Sequence, residues 1–145
     1  MELSSWNAMN IMTSNLKFKI ASWNLCLGLI NKKDYVSEIM TRNKIDICCI
    51  QEAKILPGFD HTLLSTGEYS LIIENNEYKA RTGMYIRNGT SFTRRENLEG
   101  KNSGIMVVDI NLTHKYRLIN VYRSFNPPGT ETQKEIDPPH GLFLP

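Results

Sequence analysis

The stretch from residue 18 to residue 52 constrains the fold more than any other part of the chain. Phe18-Lys19-Ile20-Ala21-Ser22-Trp23-Asn24 alternates as a strand does, with Phe18, Ile20 and Ser22 on one face and Lys19, Ala21 and Trp23 on the other. Gly28 breaks this run. Tyr35, Val36, Ile39 and Met40 then share a stripe, which predicts a helix from about Lys33 to Asn43. Asp34 near its start and Arg42 near its end both suit the helix dipole. Ile45-Asp46-Ile47-Cys48-Cys49-Ile50 is apolar on both faces apart from Asp46, as in a central strand covered on both sides. Strand, helix and strand in this order make the two strands parallel neighbours in one sheet. Both therefore end at the same side of the sheet, the first at Asn24 and the second at Glu52.

Beyond Pro57-Gly58 the pattern predicts an antiparallel β region, with strands at 70–74, 83–87, 91–94, 104–112 and 117–123. Asn88-Gly89 carries a hairpin turn signal between two of them. The first 15 residues are polar and aperiodic and are expected to be a disordered leader. One domain section is expected over 16–128. Residues 129–145 are expected to form an irregular tail, truncated or foreign to the fold, because prolines dominate from Pro127 onward and no period survives.

Composition excludes little. The net charge of +2 is too mild to argue for a nucleic-acid partner by itself. The three cysteines, Cys26, Cys48 and Cys49, form neither a disulfide framework nor a zinc motif and read as reduced thiols. No secretory signal or membrane-length apolar run occurs, so an intracellular protein, cytoplasmic or nuclear and free of membrane, is expected. On that expectation the sequons at Asn88 and Asn111 are chance matches.

Three segments carry candidate chemistry: Ser22-Trp23-Asn24-Leu25-Cys26-Leu27-Gly28, Ile50-Gln51-Glu52-Ala53-Lys54 and Asn120-Val121-Tyr122-Arg123. In order and spacing the chain resembles the endonuclease/exonuclease/phosphatase (DNase I-like) superfamily. It looks closest to the apurinic/apyrimidinic-type endonuclease domain of non-LTR retrotransposons. The resemblance implies an α/β fold: part of a four-layer αββα sandwich, mainly its first β-sheet and helix. It implies a magnesium-dependent phosphodiesterase that nicks DNA, with manganese as the alternative ion. Carried over position by position, Glu52 would bind the metal, and Asn24 and Tyr122 would contact the scissile phosphate as catalytic groups. A carboxylate with water and substrate oxygens is an adequate magnesium site, and amide or phenol donors stabilise charge on a phosphate. Singly, each residue has a duller reading: Asn24 as a turn residue, Glu52 as a solvated strand end, Tyr122 as a strand aromatic. Only the ordered set is specific.

Arg81, Arg87 and Arg123 are assigned as contacts to a nucleic-acid backbone. For the basic stretch from Lys79 to Lys101, a solvated hairpin surface is the favoured account. His61, His114 and His140 lie in no family-like context and are read as loop histidines. Family enzymes continue with G-D-x-N and S-D-H motifs, and neither occurs in these 145 residues. The expectation is therefore a section of an enzyme, inactive in isolation, with DNA as the partner of a full-length parent. Its first sheet would have a partly bare inner face, through which the chain could self-associate. A phosphoesterase of the same fold acting on a small or lipid substrate, and a non-catalytic interaction module, remain as alternatives.

Overall fold

The computed structural model describes residues 6–13, 16–26 and 28–123. Sheet A has five strands in the order β1 (Trp6–Thr13), β2 (Leu16–Asn24), β3 (Ile47–Ile55), β5 (Ala80–Arg87), β4 (Tyr69–Ile73). Sheet B has three, in the order β6 (Phe92–Arg94), β7 (Ile105–Asn111), β8 (Lys115–Val121). Helix α1 (Lys33–Arg42) joins β2 to β3, which pair in parallel from Ile20 against Ile47 to Asn24 against Gln51.

Strand alternation decides the layers. Ala21, Trp23, Cys48, Ile50 and Tyr85 point toward α1 and close a core with Val36, Ile39 and Met40. The Trp23 indole meets the Tyr35 ring edge-on, centroids 5.9 Å apart. Phe18, Ile20, Ile47, Cys49, Met84 and Ile86 point the other way and pack on Met106, Val108 and Ile110 of sheet B. The two phases expected for residues 18–24 thus feed two different cores.

Three expectations change. Residues 6–13, read as disordered leader, form edge strand β1, antiparallel to β2. An edge strand needs no apolar face on both sides: Ala8, Met9 and Asn10 are exposed, while Ile11 packs against the core between the sheets. Asn88-Gly89 makes a turn, but not a hairpin: β5 stays in sheet A, and β6 crosses to pair with β7. The inner face of sheet A is not simply bare, since sheet B covers part of it. The proline-rich tail lies outside the described residues.

The outer face of sheet B carries an ion cluster. Asp109 accepts two bonds from Arg117, at 2.7 and 3.0 Å, and one from Arg95 at 3.0 Å. These guanidinium groups, Arg117 foremost, hold the Asp109 carboxyl down at about 2. A depressed carboxyl stabilises the fold above its unfolded value near 4 and loses that contribution as pH falls through its folded value. Acid titration followed by circular dichroism should therefore show Asp109→Asn losing less stability between pH 4 and pH 2 than the unsubstituted chain. Equal losses would mean that the cluster does not couple folding to pH in this range.

Candidate functional site

The parallel crossover delivers Asn24, the last residue of β2, opposite Gln51, where the pairing of β2 with β3 ends. There β3 leaves its ladder: Gln51 still pairs with Thr82, but the next paired residue is Ile55, opposite Ala80. Within this bulge Glu52 and Lys54 adopt left-handed backbone, with φ of 56° and 54°. Non-glycine residues held there cost about 1–3 kcal/mol each and persist only where the surroundings over-determine them. The loop leaving β2 supplies the constraint: Leu25 N–H donates to Gln51 O at 3.0 Å and Leu29 N–H to Ala53 O at 2.9 Å. Gly28, with φ of 95°, lets that loop lie on the bulge, where an added Cβ would stand 3.4 Å from Ala53 O.

The bulge turns Glu52 toward Tyr122, the residue just after β8. The Tyr122 hydroxyl donates to Glu52 Oε1 at 3.1 Å. Burial first, then the Glu52 carboxylate, pushes the Tyr122 phenol up to about 12. It is therefore a proton donor, not a phenolate, at neutral pH. Asn24 Oδ1 accepts the Cys26 N–H at 3.0 Å, a turn that fixes the amide where β2 ends. Asn24, Gln51, Tyr122 and Arg123 share a cleft of about 680 Å³ between the end of β8 and the uncovered part of sheet A. Asn24, Glu52 and Tyr122 thus meet at one end of the molecule.

The basic residues separate. Arg123 is exposed and lines the cleft. Arg81 is not a surface contact: it is only 7% exposed and donates to Asn102 O, while Glu74 accepts its backbone N–H at 2.6 Å. Arg87 sits at the opposite end of sheet A, beyond Ile86, which faces the first residue of β3. Its guanidinium donates to Ile45 O at 2.8 Å and lies over the Tyr69 ring. Arg81 is thus drawn inward, and Arg87 stands at the end of sheet A away from Asn24, Glu52 and Tyr122. Charge along a sequence does not show which arginines fold inward to satisfy carbonyls.

Three residues of the site escaped sequence reasoning. Gln51 Nε2 donates to Asn120 Oδ1 at 2.8 Å, bridging the two sheets directly under the site. The available signal was Asn120 itself, a polar side chain on the face that Tyr116 and Leu118 present to the inter-sheet core. The third is Gly104, whose carbonyl accepts the Tyr122 N–H at 2.9 Å. Glu74 Oε2 in turn accepts the Gly104 N–H at 2.8 Å.

No protein-family model matches the chain. No curated protein matches it by sequence. Solved structures do match. The AP endonuclease LMAP from Leishmania major superposes with a TM-score of 0.56 at 21% identity, over 74% of this chain and 40% of that one. The chain carries part of a DNase I-like fold. The endonuclease domain of TRAS1, a telomere-specific non-LTR retrotransposon, superposes with a TM-score of 0.54 at 14% identity, over 80% of this chain and 48% of that one. The chain therefore spans less than half the length of either DNase I-like neighbour. No helix of the described residues is long and apolar enough to cross a membrane.

Proposed function

We propose that this chain carries the metal- and phosphate-binding half of a DNA-nicking phosphodiesterase site. The observation that supports it best is the hydroxyl of Tyr122 on the carboxylate of Glu52, 3.1 Å away, at the bulge beside the last β2–β3 pair, which Asn24 forms with Gln51. Among the described residues no three His, Cys, Asp or Glu side chains gather into a metal site. A lone carboxylate nevertheless suits magnesium, which keeps several waters and takes substrate oxygens. Glu52 would hold the ion, which when bound offsets negative charge on the phosphate. The Asn24 amide and Tyr122 phenol would donate to phosphate oxygens, and Arg123 would meet the neighbouring backbone. No G-D-x-N or S-D-H motif supplies a base for the attacking water, so the chain alone binds the cation weakly and does not turn over.

Mn²⁺ titration, followed by electron paramagnetic resonance, tests this reading. The expected result is one weak site, its affinity lowered at least ten-fold by Glu52→Ala, with no nicking of supercoiled plasmid. Binding that is indifferent to Glu52→Ala would remove Glu52 from the role. Nicking abolished by the same substitution would show that this half suffices for catalysis.

One observation favours a second reading, a non-catalytic module. Strand β8 is an edge of sheet B among the described residues, with Ile119 and Val121 more than half exposed. Such an edge invites another strand. Sedimentation as a stable oligomer, with no Mn²⁺ bound, would support it over the first.

A further inference from the structure

The two side chains that meet at the site both stand just outside regular pairing. Glu52 lies in the bulge, between the pairs Gln51 with Thr82 and Ile55 with Ala80. Tyr122 follows Val121, which ends β8 opposite Ile105. Glu52 and Tyr122 belong to different sheets, so hydrogen bonds within either sheet, that of Tyr122 N–H to Gly104 O included, do not fix the separation of their side chains. What precedes each of them is fixed. Gln51, one residue before Glu52, donates through Nε2 to Asn120 Oδ1 at 2.8 Å and to Ser22 Oγ at 3.1 Å. Asn120, two residues before Tyr122, donates through Nδ2 to Ile50 O at 3.1 Å and to Gly83 O at 2.9 Å. Asn120 is only 2% exposed, and its amide bonds through both its oxygen and its nitrogen. One side chain of sheet B thus grips two strands of sheet A and the residue beside Glu52.

We propose that Asn120 and Gln51 form an inter-sheet clamp that sets the distance between the Tyr122 hydroxyl and the Glu52 carboxylate, Asn120 being a positioning residue of the site. The proposal rests on the reading of Glu52 and Tyr122 as site residues, and needs neither metal nor DNA to be examined. Sheets packed through apolar side chains alone can slide by fractions of an ångström, because such contacts are not directional. A buried and satisfied amide network has one geometry, and leaving it half-made is costly. Groups that orient a ligand in this way are worth about 10–100-fold in metal affinity.

The full chain labelled with 3-fluorotyrosine tests the clamp, with Tyr122→Phe assigning the Tyr122 resonance by ¹⁹F NMR. Glu52→Gln should shift that resonance in the otherwise unsubstituted chain. In Gln51→Met and in Asn120→Ala backgrounds the same Glu52→Gln change should shift it by less than half as much. The Mn²⁺ dissociation constant of both variants should rise about ten-fold. Val108→Ala loosens the inter-sheet core without touching the amides and should leave the Glu52-dependent shift intact, which a merely structural role for Asn120 does not foresee. Gln51 is the less buried partner, so its variant carries the test where Asn120→Ala fails to fold. A full Glu52-dependent shift in both clamp variants would overturn the proposal, as would no shift in the unsubstituted chain. Should Mn²⁺ fail to bind while the shift depends on the clamp as expected, the metal reading falls and the clamp stands.

Discussion

Gly104→Ala should destabilise the fold by about 3 kcal/mol or more, lowering the thermal midpoint by roughly 10 °C. Two costs combine. Gly104 has a φ of 74°, which L side chains rarely adopt, and an added Cβ would lie 2.2 Å from the Tyr122 carbonyl oxygen. That neighbour is backbone and cannot swing aside. Gly104 is tied at both ends, its carbonyl accepting from Tyr122 N–H and its N–H donating to buried Glu74. Relief therefore means moving β8 or breaking the Glu74 bond. Gly100→Ala isolates the first cost: its φ is 75°, but the nearest atom an added Cβ would meet is Ser103 Cβ at 3.6 Å. That variant should lose only about 1 kcal/mol. Calorimetry of the two would settle the matter, and equal midpoints would show that the Tyr122 carbonyl yields easily. Gly104→Ala should also displace Tyr122 and so weaken any Mn²⁺ binding at Glu52, whereas Gly100→Ala should not.

The contrast between these glycines shows where sequence reading stops. The crossover was legible because periods of two and then between three and four mark local structure whatever surrounds it. It carried Asn24 and Glu52 to one end of the sheet without help from any other residue. The turn at Asn88-Gly89 was legible as a turn, yet its chemistry is the same whether the next strand returns to its own sheet or crosses to another. Strand β1 was illegible because an exposed edge strand lacks alternating apolar residues, and its place is decided by partner β2. The left-handed Glu52 and Lys54 are no local preference; bonds from the Leu25 and Leu29 amides impose them. Arg81 shows the same limit for charge. Its backbone N–H and that of Gly104 share one buried carboxylate, Glu74, a tertiary arrangement that no local spacing encodes.

Alkaline pH should unfold the chain well before it affects most folds of this size, because several acids are buried in neutral form. The Tyr69 hydroxyl donates to Ile45 O at 2.7 Å and to Met40 O at 3.2 Å, and burial, partly opposed by Arg87, pushes its phenol up to about 12. The Tyr85 hydroxyl donates to Leu64 O at 2.7 Å and is raised by burial too. Burial lifts the Cys49 thiol to about 12, and Cys48 rises by burial and by the neighbouring Cys49. For each group the folded value lies above the unfolded one. The folded state therefore keeps a proton that the unfolded state releases, and stability falls with rising pH between the two values. The contributions are complete below about pH 8.5, where unfolded thiols begin to ionise, and decline through pH 12 as unfolded phenols follow from about pH 10. Tyr69 is fully buried, so its shift alone is worth about 2–3 kcal/mol. A few such groups match a total stability of about 5–15 kcal/mol. Denaturant midpoints should be level from pH 7 to 8.5 and collapse between pH 10 and 12. Tyr69→Phe should be less stable at neutral pH, having lost a buried hydroxyl that donates to Ile45 O and accepts from Arg87 at 3.2 Å, yet lose less on alkalinisation. A midpoint at pH 11 equal to that at pH 8 would mean that these phenols and thiols ionise in the folded chain as readily as in water, and would overturn the prediction.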